Sequence, residues 1–227
     1  MSEKIEVLII GGGIVGLTLA YQLIKRNLAS DILILDKEKS LGMHTSGRNS
    51  GVLHSGIYYE TNSLKAKVCK KGSERLKSWI RDRNLTINKC GKLILPTDRK
   101  LDNQIDILFD RGIKNGVKVE IIDNNKLKTI APEANCKTGR AIWSPNTSVV
   151  KPIEIINSLQ SELIEKGVTF ILGKKIDKIH PEKNSVTLEN GLKFSYKYLI
   201  NSAGSNALKI SKYFNICKNY QLLPFKG

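Results

Sequence analysis

The chain has 227 residues, enough for one large domain or two small ones, and its 41% apolar and 26% charged residues exclude a disordered chain. No apolar run reaches the roughly 18 residues of a membrane span. Residues 7–20, the stretch nearest to a signal peptide, are broken by three consecutive glycines. The net charge is +16, from 37 Lys and Arg against 21 Asp and Glu. These charges are spread along the chain without a block of about five or six, so solvated faces account for them and nucleic-acid binding is not expected.

Residues 5–10 (IEVLII) read as a short buried strand, GGGIVG as a turn, and LTLAYQLIKRN as a helix with Leu17, Ala20, Leu23 and Ile24 on one face. DILILD adds a second strand ending at Asp36, which completes a strand–turn–helix–strand unit of the parallel type. Residues 39–60, rich in Gly, Ser, Thr and His, read as an irregular loop, and 61–83 as a helix. KLILP (92–96) is a strand, 100–115 a helix ended by Gly116, and VKVEII a strand. Residues 124–130 form a short helix stopped by Ala131–Pro132, and Lys151–Pro152 opens another that runs to about Lys166. Strands follow at VTFILG, at KIDKIH and at SVTLEN, where Asn190–Gly191 turns a hairpin into LKFSY. YLINSAG is read as the last strand. The ending LLPFKG has no element to close it and is expected of a chain cut in mid-fold. The four cysteines include no C-x-x-C pair, so they read as mostly buried thiols and no metal site is expected.

Three segments carry chemistry. Gly11, Gly13 and Gly16 form G-x-G-x-x-G between a strand and a helix: the first permits the tight turn, the second lets a pyrophosphate approach, and the third lets the helix pack on the sheet. The helix N-terminus then faces the phosphates. Asp36, at the end of the second strand, suits ribose hydroxyls and would repel a 2′-phosphate, which disfavours NADP. Residues 44–59 (HTSGRNSGVLHSGIYY) combine glycines, hydroxyls and the cation Arg48 with an apolar end, as expected of a buried loop lining a ligand. NSAG at 201–204 places small residues at a strand's carboxyl end, where a cofactor can approach; a helix cap is the equal alternative.

GGGIVGLTLAYQL, SGRNSGVLHSGIYY, KLKTIAPEA, INSAG and LPFKG together resemble the L-2-hydroxyglutarate dehydrogenase/oxidase family, a branch of the D-amino-acid-oxidase-like FAD enzymes. The resemblance implies an α/β fold: an FAD-binding Rossmann-like three-layer domain with part of an α+β substrate domain inserted. FAD-binding parts would lie at 1–85 and 151–215, a substrate-domain segment at 86–150, and the start of a truncated substrate-domain segment at 216–227.

It also implies that Gly11, Gly13, Ile14, Val15 and Gly16 hold the FAD pyrophosphate, while Asp36, where the family more often has Glu, takes the adenosine ribose beside Lys37. Thr45, Ser46, Arg48, Asn49 and Ser50 would line the pyrophosphate and isoalloxazine. Ile176 would meet the adenine through its backbone, and Ala203 and Gly204 would close the crevice. His54 would sit on the substrate side. In SPNTSVVKP the family's Gly and Asp are replaced by Ser148 and Lys151.

The implied reaction oxidises L-2-hydroxyglutarate, a 2-hydroxy dicarboxylate, to 2-oxoglutarate. Hydride passes from C2 to the flavin while His54 takes the hydroxyl proton. Oxygen, a quinone or a carrier protein remain open as electron acceptor. The alternatives are a relative acting on glycerol-3-phosphate, glycine or another amine, and a non-catalytic flavin-binding fragment. The cytoplasm is the expected compartment, with peripheral contact at the inner membrane left open.

Overall fold

The computed structural model describes residues 3–223. Pro224 to Gly227, most of the LPFKG motif and the end of the segment expected at 216–227, lie outside the described residues. The chain forms two compact units, Met1–Asn49 with Pro152–Gly227, and Ser50–Lys151. The first opens with β1 (Glu3–Ile10), α1 (Ile14–Lys25) and β2 (Ile32–Asp36). The second contains β3 (Val52–Leu53), α2 (Leu64–Asp82), β4 (Ile87–Asn88), β5 (Lys92–Ile94), α3 (Asn103–Lys114), β6 (Glu120–Asp123), α4 (Asn124–Ile130), β7 (Arg140–Ser144) and β8 (Ser148–Val150). The chain then returns to the first unit with α5 (Pro152–Glu165), β9 (Thr169–Leu172), β10 (Ile176–His180), β11 (Ser185–Leu188), β12 (Lys193–Asn201) and α6 (Ala207–Tyr213).

The first unit is an α/β domain on a six-stranded sheet ordered β10-β11-β12-β1-β2-β9. The four strands from β12 to β9 run parallel, and β10, β11 and the start of β12 form an antiparallel meander. A central parallel strand is buried on both faces, so it reads as a continuous apolar run. Leu8, Ile9, Ile32 and Ile34 are fully buried for this reason, each contributing about 1.5–3 kcal/mol. Ile9 lies under α1, where Gly16 lets the helix come close. Leu8, Ile10, Leu33 and Leu35 join a cluster with Ile179, Val186, Leu188 and Phe194 of the meander and Ile210 of α6. Leu17 and Ala20 are buried on α1, with Leu23 and Ile24 half-buried, as their spacing predicts.

LKFSY and YLINSAG are one strand rather than two. β12 lies between β11 and β1: its start pairs antiparallel with β11 on one edge, while on the other it pairs parallel with β1 from Phe194 to Asn201. A strand that loses the neighbour on one edge partway along shows no break in its own sequence. The expected Asn190–Gly191 hairpin is present, with Gly191 at φ 84°.

The second unit is α+β, with the sheets β3-β8-β4 and β5-β7-β6. α3 packs Ile105 with Ile142 of β7, Ile57, Val117 and Val119. Leu127 of α4 packs with Ile122, Cys136 and Ala141. Arg140 on β7 bonds Asp102 at 2.7 Å and Asp106 at 2.9 Å, tying the start of α3 to this sheet. The unit begins at Ser50, well before the change expected at residue 86. Val52 and Leu53 pair with Val149 and Ser148, and Gly51 accepts from the Val150 N–H at 2.9 Å. Long-range pairing of two residues gives no local signal, and the same holds for the unanticipated β7 and β8. Of the four cysteines only Cys136 is buried; Cys69 and Cys217 are half-buried and Cys90 is exposed.

Candidate cofactor site and active site

At the β1–α1 turn, Gly11 has φ +107°, and a side chain there would press into the Ser202 carbonyl. A side chain at Gly16 would meet the Gly11 carbonyl and Ser202 Oγ. Gly13 differs, because a Cβ there would meet only Ser46, its Oγ at 3.0 Å. It stands at the cap position of α1 and offers no side-chain cap. The first-turn N–H groups are therefore available to an anion, except that of Ile14, which donates to Ser46 Oγ at 3.0 Å. Val15 follows, exposed.

Asp36 is half-buried and aimed by the backbone. Oδ2 accepts from the Gly12 N–H at 2.8 Å and Oδ1 from the Glu38 N–H at 3.0 Å, which leaves lone pairs for ribose hydroxyls. The β9–β10 connection is tied to the same place: the Gly173 N–H donates to the Glu38 carbonyl at 2.8 Å, and Lys174 to that of Asp36 at 3.3 Å. Ile176 begins β10 two residues later, half-buried. Lys37 is exposed and pairs with Glu38 at 3.3 Å.

At the end of β12, Ser202 Oγ donates toward the carbonyls of Ile10 at 3.0 Å and Gly11 at 2.9 Å. Asn201 Nδ2 donates to the Ala207 carbonyl at 2.8 Å. Ala203 caps the 3-10 turn Gly204–Asn206, which leads into α6, so NSAG both adjoins the glycine turn and opens a helix. Gly12, Asn201 and Ser202 were not anticipated as site residues. The triple glycine and the NSAG motif contained them, but only the fold shows that the Ser202 hydroxyl joins the two.

The 44–59 loop is not buried throughout. His44, Thr45, Arg48, Asn49 and Ser50 are exposed, whereas Gly51, Leu53, Gly56 and Ile57 are buried. Local bonds shape the polar half: Gly47 and Arg48 donate N–H bonds to the His44 carbonyl at 3.0 Å, and Asn49 Nδ2 bonds the Thr45 and Ser46 carbonyls at 3.0 Å. Ser46 joins the glycine turn; among the described residues no hydrogen bond links Thr45 or Arg48 to it. Ser50 and His54 fall in the second unit.

His54 follows β3 at the surface with its imidazole partly covered. That burial, and secondly the nearby Lys92 ammonium, hold its pKa below the ordinary value, so the imidazole is neutral at neutral pH. The segment around it is tied down by side chains from α2, from α3 and from Asn115, which caps α3. Cys69 Sγ, a thiol whose pKa burial raises, donates to the His54 carbonyl at 3.1 Å. Asn115 Nδ2 donates to the carbonyls of Gly56 and Tyr59, both at 2.9 Å, and Arg111 to that of Tyr58 at 2.9 Å. Lys92 Nζ sits 4.4 Å from the centre of the Tyr58 ring. None of these four partners was anticipated, since each lies alone in an ordinary stretch of sequence. Ser148, at the departure from the family segment, is buried in β8, and Lys151 is exposed just before α5.

The profile of the FAD dependent oxidoreductase family, the D-amino-acid-oxidase type, matches residues 6–227. The chain belongs to the FAD-dependent oxidoreductase family. It is similar to mitochondrial L-2-hydroxyglutarate dehydrogenases from Bos taurus (31% identity, all of this chain and 51% of that protein) and Nematostella vectensis (33%, all of this chain and 53%). It thus spans about half the length of these relatives. Its fold is that of dithionite-reduced L-α-glycerophosphate oxidase from Mycoplasma pneumoniae with FAD bound, with a TM-score of 0.78, 22% identity and coverage of 92% of this chain and 56% of that one. The cofactor of the family is FAD, and the uncapped helix start, the open side of Gly13 and the backbone-aimed Asp36 fit its ADP half. Among the described residues no helix is long and apolar enough to cross a membrane.

Proposed function

We propose that this FAD-dependent oxidoreductase oxidises L-2-hydroxyglutarate to 2-oxoglutarate, with His54 as the base. The similarity to L-2-hydroxyglutarate dehydrogenases along the whole chain supports the substrate. The single observation that carries the chemistry is the imidazole of His54, held neutral on a segment clamped through four backbone carbonyls. A neutral imidazole can take a hydroxyl proton; an imidazolium cannot.

Gly11, Gly13, Ile14, Val15 and Gly16 would hold the pyrophosphate, and Asp36, flanked by Lys37, the adenosine ribose. Ser46, with Thr45, Arg48, Asn49 and Ser50, would lie along the pyrophosphate and isoalloxazine. Ile176 would meet the adenine, and Ala203 and Gly204 would border the crevice. When bound, FAD supplies the two-electron acceptor for the hydride at C2. His54 takes the hydroxyl proton, so the C2 hydroxyl becomes a carbonyl.

Anaerobic mixing of the FAD-loaded protein with a substrate panel tests this. Loss of oxidised-flavin absorbance with L-2-hydroxyglutarate, but not with its D enantiomer, glycerol-3-phosphate or glycine, is expected. Bleaching by glycerol-3-phosphate or glycine instead would assign the protein to another branch of the family.

A further inference from the structure

Lys92, the first residue of β5, is half-buried, and its ammonium lies over the Tyr58 ring at 4.4 Å. Among the described residues no carboxylate pairs with it, and neither the Tyr58 hydroxyl nor the His54 imidazole has a hydrogen-bond partner. A cation partly withdrawn from water is costly unless an anion meets it. A ring face meets it only in part.

The backbone beneath these groups is, by contrast, held at four carbonyls. The carbonyls of His54, Gly56, Tyr58 and Tyr59 accept from Cys69, Asn115 and Arg111. The chain therefore holds the backbone that carries the imidazole and the phenol, while the outer ends of these groups and of Lys92 have no hydrogen-bond partner among the described residues. A structural ion pair would include its own acid, and among the described residues none pairs with Lys92. Partial burial first, and then the Lys92 charge, favour the neutral imidazole, so the ammonium does not pair with it.

We propose that Lys92 receives a carboxylate of the substrate, with the Tyr58 hydroxyl as a second donor, so that an organic acid is seated against His54. This rests on the assignment of His54 as the base. It adds that recognition of the acid comes from β5 and the 54–59 segment, within the second unit. A carboxylate that meets Lys92 meets a cation already placed over the Tyr58 ring, which lessens the ordering that opposes binding.

The test is equilibrium binding of glutarate, a dicarboxylate with no hydroxyl to oxidise, to the FAD-loaded protein, followed through the NMR resonances of the His54 imidazole. A saturable shift is expected in the wild type. Lys92→Met should weaken it by about tenfold or more, and Lys92→Arg should restore most of it; melting temperatures confirm that both variants are folded. No saturable shift in the wild type, an unchanged affinity in Lys92→Met, or equal losses in the Met and Arg variants would each overturn the proposal.

Kinetics with L-lactate and L-2-hydroxyglutarate then identify the carboxylate. An equal rise in KM for both in Lys92→Met points to the carboxylate next to the hydroxyl, and a rise for the dicarboxylate alone to the distal one. If glutarate binding depends on Lys92 but L-2-hydroxyglutarate does not reduce the flavin, the proposed substrate fails and the anion site stands. If L-2-hydroxyglutarate is oxidised by Lys92→Met with unchanged KM, the anion site fails and the proposed substrate stands.

Discussion

At the glycine turn the groups offered to the cofactor in the proposed site are backbone N–H and carbonyl, and side chains serve mainly by their absence or to aim those groups. Around His54 the proposed arrangement is reversed: the working groups would be side chains, and the backbone is held by Cys69, Arg111 and Asn115 from remote positions. A site made of backbone demands particular residue types at fixed spacing, because only glycine adopts φ +107° beside the Ser202 carbonyl. A site made of side chains can draw its supports from any element that passes by. The first is therefore sensitive to steric change, and the second to loss of hydrogen bonds and charge.

The largest expected effect is at the turn. Gly11→Val combines a strained backbone, costing about 1–3 kcal/mol, with a clash against Ser202, and the purified protein should carry no FAD by absorbance. A yellow Gly11→Val protein would show that the turn is not what holds the cofactor. Asp36→Ala removes a charged acceptor worth about 1.5–3 kcal/mol, so FAD affinity by fluorescence titration should fall about 10- to 100-fold while the His54 region is unaffected.

Asn115→Ala breaks the pattern from the other side. It leaves two carbonyls without their donor, at a cost of about 1–3 kcal/mol in denaturant unfolding, and lowers turnover with FAD affinity unchanged. A fall in FAD affinity instead would contradict the division of roles. The smallest effect is a shift in pH dependence. Partial burial and then the Lys92 charge depress the His54 pKa, so kcat/KM should fall on the acid side only below the ordinary imidazole range near 6.5. Lys92→Met removes a like charge, raises that pKa and should move the acid limb to higher pH. A limb that moves down or stays put would mean that Lys92 does not act on the base.

The same contrast explains what could be read from the amino acids. The β1–α1–β2 unit, its glycines and Asp36 were legible because the strands are buried on both faces and the turn is chemically constrained. The short helix Asn124–Ile130 was legible too, because Asp123 caps it, accepting from the Lys126 N–H at 2.8 Å, and Pro132 follows. The placement of residues 50–85 was not, because it depends on Val52 and Leu53 pairing with β8, nearly a hundred residues away. Ser202 lay in plain view within NSAG, yet its role depends on a carbonyl 191 positions earlier. Lys92 is one of many lysines in the chain, and only its place over Tyr58 distinguishes it.

The most direct test of the account is the His54→Gln variant, measured twice: FAD affinity by titration, and the rate of flavin reduction by L-2-hydroxyglutarate in anaerobic single turnover. The account predicts an unchanged affinity and a reduction rate lower by about 10²–10⁴. A variant that reduces its flavin at the wild-type rate, or that no longer binds FAD, would contradict it.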